Sequence, residues 1–177
     1  MTQKIIPTQN EIVMRDNDFI VTKTDAIGRL TYCNPIFIEF SGYTESELLG
    51  QQHNIVRHPD MPRTVFSLLW QTITAGEDFF GYVKNICKDG SYYWVYATVT
   101  PSYGIVESSF SSEIIGFFSV RRKPDKAKLH YVEELYREVL AAEKKVNRRE
   151  AITAGMEVLN SRLLQTGKDY REFILTL

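Results

Sequence analysis

Cysteine, histidine and long apolar runs are all scarce in this chain of 177 residues. Its two cysteines, Cys33 and Cys87, lie far apart and neither belongs to a CxxC pair. That spacing indicates neither a zinc site nor a disulfide framework, so both are read as reduced thiols of a cytosolic protein. No stretch approaches the roughly 18 apolar residues that a membrane-crossing helix needs. No charged-plus-apolar leader opens the chain, so any membrane association is expected to come through a partner. An excess of one charge is lacking too: 21 Lys and Arg stand against 22 Asp and Glu. No global field would therefore recruit nucleic acid or an acidic membrane. The basic residues Lys144, Lys145, Arg148 and Arg149 are interleaved with acids and form no reading motif. Nor is there a nucleophile set, a metal set or a glycine-rich phosphate loop, and an enzyme is not expected.

What is present is enough for one domain with an appendage. The hydrophobic share is 44% and the aromatic share 12%, which suits a heavily packed sheet or a pocket. The densest chemistry lies at residues 53–62, HNIVRHPDMP, which hold two of the three histidines together with Arg57 and Asp60. Such groups beside apolar sequence cost stability unless solvent covers them or something binds them. Arg57 offers a rigid fork suited to phosphate or carboxylate. His53, His58 and Asp60 add polar contacts, and Pro59 and Pro62 stiffen the backbone. A solvated, proline-punctuated loop is the bland alternative.

The pattern along the chain is β, β, short helices, one long helix, β, β, β. Residues 19–34 read as a hairpin around DAIG, with Asn34-Pro35 ending the second strand. Phe37, Ile38 and Phe40 have helical spacing up to Gly42, and Thr44 with Glu47 spells a capping box. After Pro62, Val65, Phe66, Leu69, Trp70 and Ile73 form one apolar helical face closed by Gly76. Strands are expected at 80–87, 91–103 and 113–123, the first two joined by the Lys88-Asp89-Gly90 turn. The serine-rich stretch 104–112 reads as a surface loop. Strands at both ends of a helical insert predict an α+β fold with one mostly antiparallel five-stranded sheet. Residues 1–16 suit a short helix or an ordered arm. Beyond Pro124, two amphipathic helices (126–147 and 149–165) and a short tail carry apolar stripes. These would cover the domain's own sheet, a second copy or another protein.

The segments SGYTESELLGQQHNIVRHPDMPRTVFSLLW, GYVKNICKDGSYYWVYATVTP and IGFFSVRRKP resemble the PAS sensor domain of the Aer-type aerotaxis and energy-taxis receptors. The resemblance covers residues 18–124, leaving 1–17 as an N-terminal arm and 125–177 as a helical extension. It implies a PAS fold and noncovalent FAD. It also implies redox or oxygen sensing, as in stand-alone PAS proteins that signal through a separate membrane chemoreceptor. A homodimer or a partner complex is expected from the apolar stripes. Under this reading Trp70 stacks on the flavin and Arg57 pairs with the pyrophosphate. His58 and Asp60 bond the ribose or phosphate side or brace the loop, and His53 stacks on or bonds the nucleotide, or is a capping or solvated residue. Asn85 shares a strand face with Val83 and Cys87, where a buried amide needs a partner such as the flavin O4 and N5 edge. Asn34 is a further candidate, with a helix cap before Pro35 as the favoured reading. A haem-binding PAS gas sensor and a cofactor-free PAS interaction module are the rivals. Haem would need an axial histidine on the helix at 63–75, which has none.

Overall fold

The computed structural model describes residues 5–106 and 111–177. The β-branched run after Phe19 forms β1 (Ile20–Asp25), and a turn through Gly28 at φ 83° returns the chain as β2 (Leu30–Cys33). Asn34 then caps α1 (Pro35–Ser41), its Oδ1 accepting from the amides of Phe37 and Val21. The capping box forms at α2 (Glu45–Leu48), where Thr44 and Glu47 satisfy each other's backbone amides. One 3-10 turn (His53–Val56) leads across Pro59 and Pro62 into α3 (Arg63–Thr74), which stops at a left-handed Gly76.

Three strands complete the sheet: β3 (Phe79–Ile86), β4 (Tyr92–Val106) and β5 (Ser111–Arg122). The Lys-Asp-Gly turn joins the first two, with Gly90 at φ 91° and Asp89 accepting from the Ser91 amide. All pairings are antiparallel and the spatial order is β2-β1-β5-β4-β3. The fold is thus α+β, a five-stranded antiparallel sheet with its helices inserted after the second strand, as the sequence predicts.

The expected loop at 104–112 is a correction. β4 runs on to Val106 and β5 begins at Ser111, so most of that stretch is strand and residues 107–110 fall outside the described residues. A register shift at Ser102/Tyr103 lets the ladder continue through Tyr103↔Ile114 and Ile105↔Ser112. Cross-strand pairing outweighs the polar composition there. The N-terminal arm is extended rather than helical. Thr8 and Ile12 donate backbone N–H groups to Gly90 and Tyr92, and Met14 is buried.

The C-terminal chain forms α4 (Lys126–Lys145), α5 (Ala151–Thr166) and α6 (Tyr170–Thr176). Of the three surfaces left open for the α4 stripe, the structure shows the domain's own sheet. Leu129, Val132, Leu135, Tyr136 and Val139 are buried, with Tyr136 6.4 Å from Trp94 on the outer face. Each such side chain fully buried contributes about 1.5–3 kcal/mol. Tyr170 of α6 stacks on Phe79 and shares a 2.7 Å hydrogen bond with the Tyr136 hydroxyl. α5 lies against α3 so closely that a Cβ on Gly155 would overlap Thr64 Oγ1.

Candidate functional site

Between the inner sheet face and α3 lies a cavity of about 140 Å³, many times the space of roughly 10–15 Å³ that one water needs. The period of two aims alternate strand residues into it. These are Thr22 and Thr24 of β1, Val83 and Asn85 of β3, Ala97 and Val99 of β4, and Phe117, Ser119 and Arg121 of β5. Phe66, Leu69, Trp70 and Ile73 of α3 close the other side. The lining is mostly apolar and aromatic, with a few polar groups placed within it. That is the make-up of a small-molecule site.

Arg121 is buried, yet no carboxylate pairs with it among the described residues. Its Nη1 donates to Thr22 Oγ1 at 3.1 Å and its Nη2 to His53 Nε2 at 2.8 Å. Burial and the adjacent guanidinium hold His53 down to about 3, so the ring is neutral at physiological pH. With Nε2 accepting, the remaining ring proton lies on Nδ1. Burial also lowers Arg121, to about 10, and the residue stays a cation. The cavity therefore has one positively charged, well-bonded end.

Two further groups lie on its walls without partners. Asn85 Nδ2 on β3 and Ser119 Oγ on β5 are buried and make no hydrogen bond within 3.5 Å among the described residues; the buried Tyr93 hydroxyl, on the strand between and near the Asn85 amide, is a third. Buried polar groups are nearly always bonded, and each orphan costs about 1–3 kcal/mol. At the mouth, the half-buried Arg57 packs its guanidinium 4.2 Å over the Phe66 ring and donates to the Met61 carbonyl at 3.3 Å. A backbone bridge between Arg57 and Asn85 fixes the two together. Trp70 rides on the rim, 37% exposed, edge-on to Phe117 at 5.5 Å and against the face of Gly28. A Cβ on Gly28 would come within 2.9 Å of the indole.

Of the residues singled out from sequence, the structure brings His53, Arg57, Trp70 and Asn85 to the cavity. Three others are not among its lining residues. His58 is buried beside Tyr92 on the outer side, its Nδ1 accepting the Asp60 amide. Asp60 pairs with Lys84, whose strand position faces away from Asn85. Asn34 donates to the Phe19 carbonyl and caps α1, which engages both ends of its amide. The turn after Arg57 reverses the chain, and this separates His58 and Asp60 from the cavity. Thr22, Ser119 and Arg121 were missed, although the alternation Phe117, Ser119, Arg121 already places all three β5 residues on one face. Cys33 and Cys87 are buried and neither is among the cavity's lining residues. Among the described residues no cluster of three or more His, Cys, Asp or Glu converges as a metal site.

A flat aromatic ligand with acceptors along its edge fits this arrangement, since unpaired donors and a cation face apolar walls. Residues 30–117 match the family model for the PAS fold. With the strand order and helical insert described above, the chain belongs to the PAS family. Its domain is, more narrowly, of the aerotaxis-receptor type. It is 38% identical over 130 residues, 73% of the chain, to the aerotaxis receptor of Escherichia coli strain K12. A nitrogen fixation regulatory protein of Klebsiella pneumoniae is 32% identical over 46% of the chain. The chain spans 24% and 16% of those two relatives' lengths. Among solved structures, a light-oxygen-voltage domain studied with a flavin analogue superposes with a TM-score of 0.54 at 18% identity, covering 66% of this chain and 83% of that one. The Aureochrome1 light-oxygen-voltage domain, a blue-light photoreceptor, gives 0.53 at 22% identity and the same coverage. At such identities these two speak for the fold alone. No helix among the described residues is long and apolar enough to cross a membrane.

Proposed function

We propose that this chain is a flavin-binding redox or oxygen sensor that reports to a partner protein and catalyses nothing. One observation carries the reading: Asn85 Nδ2 and Ser119 Oγ are unpartnered donors in an aromatic-walled cavity. A flavin's polar edge offers acceptors that would satisfy both. The resemblance to an aerotaxis receptor supports the redox or oxygen-sensing role. Arg57 at the mouth favours FAD, whose pyrophosphate its fork would hold.

Bound there, the flavin supplies reversible electron exchange. Asn85 responds by rotating its carboxamide, which exchanges a donor for an acceptor at the cavity wall. Arg121 holds positive charge at the inner end, and His53 fixes that guanidinium through Nε2. Trp70 and Phe66 exclude water from the mouth. β3 carries the change outward, since Asn85 adjoins Lys84 and Ile86 beneath the α4 surface. In this reading residues 18–124 sense and 125–177 relay, within a cytoplasmic dimer that signals through a membrane chemoreceptor-type partner.

The absorption spectrum of the purified, flavin-reconstituted chain tests the proposal. Yellow protein with flavin bands, releasing FAD on denaturation, is expected, and colourless protein overturns it. Asn85→Leu should keep part of the flavin and lose partner output. Normal output in that variant removes Asn85 from the mechanism.

A further inference from the structure

Outside the cavity lies a second and larger hollow, an open cleft of about 850 Å³ between α3 and the C-terminal helices. The two share a wall: Asn54, Arg57, Phe66 and Trp70 line both. The Arg57 side of the inner cavity therefore borders this cleft. Three arginines line it, Arg57, Arg63 and Arg148, against one carboxylate, Glu143, so the lining carries a formal charge of 3 − 1 = +2.

Glu143 is already bonded to the start of α3. It is buried, and its two oxygens accept from the Arg63 amide at 3.0 Å, the Thr64 amide at 2.8 Å and the Thr64 hydroxyl at 2.8 Å. It caps α3 from α4, and its charge also acts on Arg57, offsetting part of the cleft's positive charge. No ion pair to Arg57, Arg63 or Arg148 is formed among the described residues. Beside them Ile152, on α5, is 40% exposed within the same cleft. Cationic forks next to apolar surface suit a pyrophosphate followed by a flat base.

We infer that the C-terminal extension forms the distal half of a dinucleotide site, with Arg148 and Arg63 taking the adenosine-phosphate end of the ligand whose flavin end lies in the inner cavity. This rests on the flavin reading above and deepens it. The extension then selects the length of the cofactor. A single phosphate ends at Arg57, whereas the second phosphate and the adenosine reach past it to α3 and the α4–α5 connection. The same contact ties the extension to the loaded sensor, because the ligand bridges α3 and the residues after Val146.

The test titrates the flavin-stripped full chain with riboflavin, FMN and FAD, read by quenching of flavin fluorescence. The chain is expected to bind FAD about tenfold or more tighter than FMN, a gap of about 1.4 kcal/mol or more. Arg148→Glu, an exposed loop change, should erase most of that gap while moving riboflavin and FMN affinity by less than about twofold. Arg148→Lys should fall between. FAD, and not FMN, should also slow proteolysis in the α4–α5 connection. Equal affinity for FMN and FAD, or an unchanged FAD preference in Arg148→Glu, overturns the inference while leaving a flavin in the cavity. Failure of all three flavins to bind removes the flavin reading itself, and this inference with it.

Discussion

Where α4 and α6 pack on the sheet, Tyr136 and Tyr170 pair their hydroxyls at 2.7 Å, while at the cavity Asn85 Nδ2 and Ser119 Oγ have no partner among the described residues. The same strands supply both surfaces, since β3 and β4 send alternate residues each way. Glu143 follows the first pattern where α4 meets α3, with three donors on its two oxygens. Arg121 continues the inner one, a buried cation held by neutral groups. His58 is the outer exception: its Nε2 lacks a partner while the ring packs against Tyr92. The contrast teaches that the packing of α4 and α6 on the sheet is finished by protein alone, whereas the cavity's face is complementary to something else. Packing density explains the first surface and ligand chemistry explains the second.

The largest effect expected from breaking that contrast comes from filling the hollow. Ala97 is buried on the cavity wall. Ala97→Trp should lower flavin affinity by about a hundredfold or more, roughly 2.7 kcal/mol. Overpacking should cost about 1–3 kcal/mol in folding. Flavin titration and circular dichroism read the two effects separately. A folded variant that binds flavin as tightly as the parent would mean that the cavity is not the site.

Acid sharpens the comparison, because each side holds one depressed histidine. Burial and Arg121 hold His53 down to about 3 on the inner side. Burial and Lys84 hold His58 down to about 4 on the outer side, against a smaller opposing pull from Asp60. Both lie below the unfolded value of 6.5, so between 6.5 and about 4 the unfolded chain binds protons that the folded chain does not. Stability is therefore complete above pH 6.5 and lost as the pH falls, by up to about 1.4 kcal/mol per pH unit for each histidine. Urea midpoints measured from pH 6.5 to 5 should show this slope, halved in either His53→Asn or His58→Asn. A slope that neither variant changes would assign the acid loss to other groups.

How much of this was legible differs by element. The capping box at Thr44 and Glu47, the Lys-Asp-Gly turn, the helical stop at Gly76 and the sheet with its insert all rest on local chemistry, and all are visible in the sequence. Asn85 and Trp70 reach the cavity because strand and helix periods specify a face. His58 and Asp60 do not, because a proline-bounded turn has no period from which a direction could be read. Arg121 was legible in principle from its alternation with Phe117 and Ser119. A charged residue beside Arg122 looks like a solvated pair, however, until the strand's inner face is known. The cleft could not be read at all. It needs Arg57, Arg63 and Arg148 brought together by the return of α4 and α5 onto α3, a contact separated by about 80 residues of sequence.

The smallest effects have opposite signs, and this makes them the cleanest comparison. Deleting the Tyr136 hydroxyl with Tyr136→Phe leaves the buried Tyr170 hydroxyl without its 2.7 Å partner. Stability should fall by about 1–2 kcal/mol with no change in flavin affinity. Deleting the Ser119 hydroxyl with Ser119→Ala removes a donor that the chain itself does not satisfy. The flavin-free protein should gain up to about 1 kcal/mol, and flavin binding should weaken because one edge contact is gone. Urea unfolding with and without flavin reads both variants. If Ser119→Ala destabilises the flavin-free chain as Tyr136→Phe does, the inner hydroxyl is satisfied within the protein, and the two faces of the sheet are finished alike.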